Sequence, residues 1–404
     1  MEERWRVNCF DLPDLIIMAQ DNSVGPLMFN DTDLVASDTD QVHSASPSRT
    51  RPKPRAVANL QFSREALAFL RCSVDGGKVA VVEEERGSPE GILDGILRCT
   101  VCGIEYRIED GIARMLAVPP TREGEHEITI RDTVDYECEN PSRFIPPPDG
   151  AWRSVLSDML EIPQHMEELR PTQSSTVLEL ACGDGRFTSL IARTGSLVLA
   201  VDFSINALRL QAHRLPPGSR VGRVHADINH FHVASHSFDR VLSATPLHSR
   251  DERMVMYRTI ANALTDNGRF VGGVEYDDLH RRCFGLPLIR RYSREGILVE
   301  HLTKQTMRRE IAPFFLKVRM YPIRPRLPFI HKLPRKLAYV ILYSASVLPG
   351  ACHFGEILLI CAEIPFRIPS EGQHRSGNKV AKGIYRWYMN KKGRHPLWGE
   401  ELVQ

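Results

Sequence analysis

Apolar positions along the chain repeat with two periods, and the switches between them mark alternating strands and helices. Val177–Leu180 reads as a short apolar strand ending in Ala-Cys-Gly-Asp-Gly, and Phe187–Thr194 continues with helical spacing. Leu197–Val201 is a second strand ending at Asp202, followed by a helix near Asn206–Arg214. Val221–Ala226 and Phe238–Ser243 read as third and fourth strands. Arg253–Leu264 is helical, with Asn267-Gly268 as its stop signal, and Arg269–Glu275 is a fifth strand. A helix over Trp152–Leu169 precedes this series. A helical stretch, Arg294–Ile311, and two further strands, Phe315–Tyr321 and Glu356–Glu363, follow it. Strands alternating with helices predict an α/β fold, with a parallel sheet covered on both faces.

Ahead of this region the pattern changes. Phe62–Cys72 leads into a β-rich stretch, giving a small module over 59–118. Residues 119–150 are polar and Pro-rich and read as a linker. Residues 1–58, acidic and then Ser/Pro/Arg-rich, bury too little apolar surface to offset their ordering entropy and read as a disordered tail. The main domain is expected over 151–365, with an insertion at about 323–354 and a basic tail over 366–404.

Composition adds little until charge is mapped. The 404 residues are 42% apolar and 25% charged, a globular balance, with a net charge of +2. From Leu279 to Gln404, however, 23 basic residues face 8 acidic ones, a net of +15, so the remainder is acidic. A split of this kind points to an anionic partner on one side of the molecule. Nine irregularly spaced cysteines make no disulfide framework. The first residues show no secretory signal, and the longest apolar run, Leu337–Ala351, falls short of the ~20 residues that span a bilayer. The expectation is a soluble, cytoplasmic protein.

The chemistry concentrates in Val177–Thr188, where a strand runs into Gly183-Asp184-Gly185 and then a helix. Glycines there let the backbone approach a ligand, and the N–H groups of the helix start suit an anionic group. Asp202 ends the next strand, where a carboxylate can accept ribose hydroxyls. A nicotinamide dinucleotide fingerprint wants a third small residue where this chain has Thr188, which weakens an NAD-dependent oxidoreductase reading.

At these residues the sequence resembles the class I S-adenosylmethionine-dependent methyltransferases of the small-molecule type, over about Trp152–Pro365. The resemblance rests on LELACGDGRF, AVDFS, HADI, SFDRVLSATPLHS and LTDNGRFVGG, in order. It implies a Rossmann-like sheet and S-adenosyl-L-methionine as cofactor. Glu179, Gly183 and Gly185 would line its methionine end, Asp202 the ribose and Asp227 the adenine, with Ser243 beside them on the fourth strand. Asp266 and Asn267 replace the proline and first glycine usual before the fifth strand, a mild departure because both suit turns.

Methyl transfer from a sulfonium needs positioning and exclusion of water more than acid–base work. The Asn-Pro-Pro-Tyr type motif of amide-nitrogen methyltransferases is replaced by Ser243-Ala-Thr-Pro-Leu-His248, which favours oxygen or carbon as acceptor. His248 is a candidate base, with Tyr276 and Asp277 behind it; none supports a firm catalytic assignment. Cys182 has no base near it in sequence and reads as a small turn residue.

Leu70-Arg-Cys72-Ser-Val-Asp75 and Leu97-Arg-Cys99-Thr-Val-Cys102 form two knuckles. Four cysteines here would be a zinc signal; Asp75 in one place weakens a thiolate site. LRCTVCGIEYRIEDGIARML resembles the zinc-ribbon family of tRNA-methyltransferase activator subunits, over about Leu70–Leu116. That implies an accessory module with Cys72, Asp75, Cys99 and Cys102 around structural Zn²⁺, fused ahead of the catalytic domain.

The expected function is methyl transfer to a small or lipophilic, anionic acceptor, with membrane-surface contact through the basic, apolar insertion. The alternative is an RNA-associated protein or RNA methyltransferase that uses the ribbon and the basic C-terminal part.

Overall fold

The computed structural model describes residues 60–116, 151–244, 249–276, 302–325, 333–347 and 355–366, with short pieces at 283, 290–292, 298–300 and 330. The expected tails, the linker, His248 and Asp277 lie outside the described residues.

The N-terminal module contributes β1 (Phe62–Ser63), a 3-10 turn over Arg64–Phe69, β2 (Val79–Gly87), β3 (Gly91–Cys99), β4 (Glu105–Glu109) and β5 (Ile112–Arg114). The main region begins with α1 (Ala151–Leu169) and β6 (Thr176–Leu180). It continues through α2 (Thr188–Arg193), β7 (Leu197–Asp202), α3 (Ile205–Leu210), β8 (Val221–His225) and β9 (Phe238–Ser243). Then come α4 (Arg250–Ala263), β10 (Leu264–Glu275), β11 (Arg290–Tyr292), β12 (Leu298–Glu300) and α5 (Lys304–Ile311). The described part closes with β13 (Phe315–Pro325), α6 (Arg335–Val347) and β14 (Gly355–Pro365).

Residues of β7 and β8 are buried on both faces, and β6 nearly so. That requires helices or other cover above and below, as in a parallel α/β sheet. The order is β8-β7-β6-β9-β10-β14-β13. Strands β6 to β10 pair in parallel, and β14 runs antiparallel to both β10 and β13. The chain leaves β6 towards β7 and β8, then returns to build β9 and β10 on the other side. Such a reversal opens a crevice at the C-terminal ends of β6 and β9.

Two local readings change. Asn267-Gly268 does not stop the helix: α4 ends at Ala263, and both residues sit in β10 where its register against β9 slips between Leu264 and Arg269. A bulge uses the same turn-prone residues as a helix stop, so local chemistry does not separate them. Within the stretch Arg294–Ile311 the described helix covers Lys304–Ile311, and Leu298–Glu300 pairs instead as a strand with Arg290–Tyr292. Arg253, buried in α4, bonds Glu310 at 2.9 Å and Glu300 at 2.8 Å and so ties β12 and α5 to α4.

The module is not strung on a separate body. β5 pairs in parallel with β8, so β1, β3, β4 and β5 extend the main sheet to one edge, and β2 pairs with β3. The join grips β8 on both faces. On one, Gly222 has no room for a Cβ, which would stand 2.6 Å from the Ala66 Cβ and 2.7 Å from the Phe62 ring. On the other, buried Arg223 donates to the carbonyls of Leu60 and Asp110, each at 2.7 Å, and of Leu208 at 3.0 Å.

Candidate functional site

The crevice is built on the turn that leaves β6. Ala181, Gly183 and Gly185 all take positive φ, at 55°, 54° and 84°. Ala181 does so despite its Cβ, a conformation that costs of order 1 kcal/mol and clusters at ligand-binding turns. A Cβ on Gly185 would also stand 2.8 Å from the Gln211 Cγ, so the glycine is required twice over. Gln211 Nε2 holds the turn, donating to Gly183 O at 2.8 Å and Cys182 Sγ at 3.0 Å. Cys182 is a buried turn residue, its thiol pushed well above the ordinary range by burial.

Two carboxylates meet behind the turn. Asp202, at the end of β7, accepts the Gly183 N–H at 2.7 Å and the Ser204 N–H at 2.8 Å. Glu179 in β6 is 3% exposed, and its Oε2 has no hydrogen-bond partner. Burial, with Asp202 and Asp184 nearby, pushes its carboxyl up to about 8, so the side chain holds a proton at neutral pH until a donor or cation arrives. A buried carboxyl oxygen without a partner, beside a left-handed turn, is what a bound polar ligand completes.

The other sequence-predicted residues lie on neighbouring strand ends. Asp227 follows β8 and accepts from the Asn229 N–H at 2.9 Å and from His230 Nδ1 at 2.8 Å. The Ala226 N–H donates to the Asp202 carbonyl at 3.0 Å, which joins the two segments. Ser243 ends β9, its hydroxyl against the Met256 sulfur at 3.8 Å. Tyr276, just past β10, is buried.

Sequence reasoning missed the contribution of α1. His165 is fully buried; its Nδ1 lies 2.9 Å from the Glu161 carbonyl and its Nε2 has no partner. That Nε2 lies 3.4 Å from where a Gly273 Cβ would stand, a position also 3.4 Å from the Ala244 carbonyl. The ring therefore faces the C-terminal ends of β9 and β10 and packs on Phe187 at 5.2 Å. Burial lowers its pKa, which keeps the imidazole neutral at pH 7. One turn away, buried Glu161 faces Arg186 and Arg324, each at 3.4 Å. The helical spacing of Glu161 and His165 was visible, but no local pattern said which strand ends α1 would cross.

This order of strands, turn and carboxylates has a counterpart among known families. Residues 177–268 match the family model described as a methyltransferase domain. Over those residues the chain is similar to that family. A demethylmenaquinone methyltransferase of Clavibacter sepedonicus is 30% identical over 118 residues, which are 29% of this chain and 48% of that protein. The chain thus spans about half the length of this curated relative. Among solved structures, the 1,6-didemethyltoxoflavin-N1-methyltransferase of Burkholderia thailandensis is 18% identical, covering 61% of this chain and 92% of its own, with a TM-score of 0.38. An S-adenosylmethionine-dependent methyltransferase of Mesorhizobium loti is 21% identical, covering 51% of this chain and 99% of its own, also at 0.38.

A second cluster sits in the module. The ligand atoms of Cys72, Asp75, Cys99 and Cys102 all lie within 4.8 Å of one another. Cys72 and Cys102 sulfurs are 3.6 Å apart, and Cys99 Sγ is 3.4 Å from Asp75 Oδ1. Four donors at ~2.3 Å from a tetrahedral Zn²⁺ stand ~3.8 Å apart, so this spacing fits a metal. Amide N–H groups of Val74 and Val101 point at the Cys72 and Cys99 sulfurs, each at 3.4 Å. The Gly77 N–H holds the Asp75 carboxyl low, at about 2.

Proposed function

We propose that the chain is an S-adenosylmethionine-dependent methyltransferase acting on an oxygen or carbon of a small or lipophilic acceptor. The observation that carries the reading is the buried Glu179, its Oε2 without a partner, beside the Ala181–Gly185 turn, with Asp202 closing the next strand. A protonated carboxyl poised to ionise suits an ammonium or amide donor, and the Asp202 carboxylate, an acceptor at the end of β7, suits hydroxyl donors. Asp227, one strand further, suits an amine donor. When bound, the cofactor supplies an activated methyl group. The chain positions it, excludes water and leaves neutral His165 to accept or orient a proton at Nε2.

A quinone-type acceptor is in keeping with the similarity to the Clavibacter demethylmenaquinone methyltransferase. The module is read as an activator-type zinc ribbon in cis, with Cys72, Asp75, Cys99 and Cys102 holding structural Zn²⁺.

Calorimetry tests the site. S-adenosylhomocysteine should bind, NAD should not, and Asp202→Ala should weaken S-adenosylhomocysteine at least about tenfold, the value of one hydrogen bond to a charged group. Undiminished binding by the variant would remove Asp202 from the site. Incubation of the chain with labelled S-adenosylmethionine and fractionated extract then identifies the acceptor; label recovered in RNA would overturn the small-molecule reading.

A further inference from the structure

Helix α6 carries apolar residues on two faces, and one is covered. Ala338 and Leu342 are buried against Leu160 of α1, with Ile330 packed beside them. Elsewhere on the helix Leu337 and Val340 are 47% and 56% exposed; they stand three residues apart and so share a stripe. Leu333, just before the helix, and Tyr343, three residues beyond Val340, extend it and are also exposed. Branched aliphatic side chains in a row on open helix surface are an interaction signature rather than a packing requirement.

The charge around the stripe says what it meets. No Asp or Glu occurs from Ile311 to Gly355, whereas seven Lys and Arg do. Three are taken up on the sheet: Lys317 by Glu363, Arg319 by Glu168, and Arg324 by Glu161 and Glu356. The other four, Arg326, Lys332, Arg335 and Lys336, fall just ahead of α6 or in its first two residues. Cations at a helix N-terminus oppose the helix macrodipole, so their placement does not serve the helix. An external anion would offset that repulsion.

We propose that α6 is a peripheral docking element that lays the Leu333, Leu337 and Val340 stripe into the surface of an anionic lipid bilayer. An acid-free, basic and apolar segment complements a layer of anionic headgroups over acyl chains. The helix lies on such a layer and does not cross it: among the described residues, no helix is long and apolar enough to span. The covered side of α6 rests on α1, which brings Glu161 and His165 to the crevice. On the methyltransferase reading, docking therefore sets the candidate site beside the bilayer, where a lipophilic acceptor is dissolved; the docking itself does not depend on that reading.

Co-sedimentation of the full chain with vesicles tests it. Phosphatidylcholine vesicles containing phosphatidylserine should bind at least about tenfold more tightly than phosphatidylcholine alone, since each basic residue near the surface is worth about fivefold. High salt should release the chain. The double variant Leu337→Ser, Val340→Ser alters only exposed positions, so it should keep S-adenosylhomocysteine binding while losing vesicle affinity about tenfold or more. Equal vesicle binding by variant and parent would place any membrane contact elsewhere in the chain and overturn the proposal. So would absence of binding to the anionic vesicles. A concentration-dependent dimer, seen by sedimentation velocity and abolished by the double variant, would make a second copy the occupant instead. Cofactor calorimetry on the same samples separates failure of the docking from failure of the methyltransferase reading.

Discussion

Arg223 is the residue whose replacement best tests how the module is held. Its guanidinium donates to three buried or half-buried carbonyls, two from the module at Leu60 and Asp110 and one from α3 at Leu208. Burial lowers its pKa to about 10, still charged at pH 7. In Arg223→Met the side-chain volume is nearly kept while all three carbonyls lose a charged donor. Each such loss costs about 1.5–3 kcal/mol. Relief of the guanidinium desolvation gives back several kcal/mol. The net expectation is a loss of about 3–5 kcal/mol, in the range for removing one partner of a buried charged network. Urea unfolding followed by circular dichroism should show the midpoint falling by about 1 M or more. The control is Arg220→Met. Arg220 also reaches the module, through Glu65, but on the surface, so its loss should cost no more than about 1 kcal/mol. Equal, small effects of the two substitutions would mean that the carbonyls find other partners and that Arg223 is not the pin.

Glu179→Gln addresses the crevice. The folded carboxyl holds its proton to about pH 8 whereas an unfolded one, at 4.5, does not, so stability is lost as pH rises between these values, by up to about 5 kcal/mol. The neutral variant escapes that loss; melting temperatures at pH 5 and pH 8 that respond identically in both proteins would contradict the burial argument. Binding of a cationic ligand should also drive the proton off, and calorimetry in two buffers of different ionisation enthalpy should show release approaching one proton near pH 7. In the module, metal analysis of the purified chain should find about one zinc, with Asp75→Cys tightening it against a chelator, because a fourth thiolate suits Zn²⁺ better than a carboxylate. A metal-free chain whose melting temperature ignores added zinc would leave the cluster a packing feature.

Much of the fold was legible because its signals are local. A strand buried on both faces reads as a near-continuous apolar run, so β7 announces itself, whereas β8 is interrupted by the buried Arg223 and His225. The Ala-Cys-Gly-Asp-Gly turn needs left-handed residues, and glycine supplies two of the three; the third, Ala181, was invisible because alanine carries no sign of positive φ. The helix stop assigned to Asn267-Gly268 failed for the converse reason, since turn and bulge chemistry coincide.

From the sequence alone come the strand–helix alternation, the glycine turn, the acidic residues that end the strands and the basic, apolar insertion. Each depends on a few neighbouring residues and on backbone sterics, burial or charge. Tertiary structure decided what depends on distant segments meeting. It set α1 across the strand ends, so that His165 and Glu161 reach the crevice, and turned one stripe of α6 outward. It ran β5 alongside β8, joining the module to the main sheet through Gly222 and Arg223. These contacts span tens to more than a hundred residues of chain. The free energy of such a pairing lies in complementary surfaces, and no single segment carries both halves.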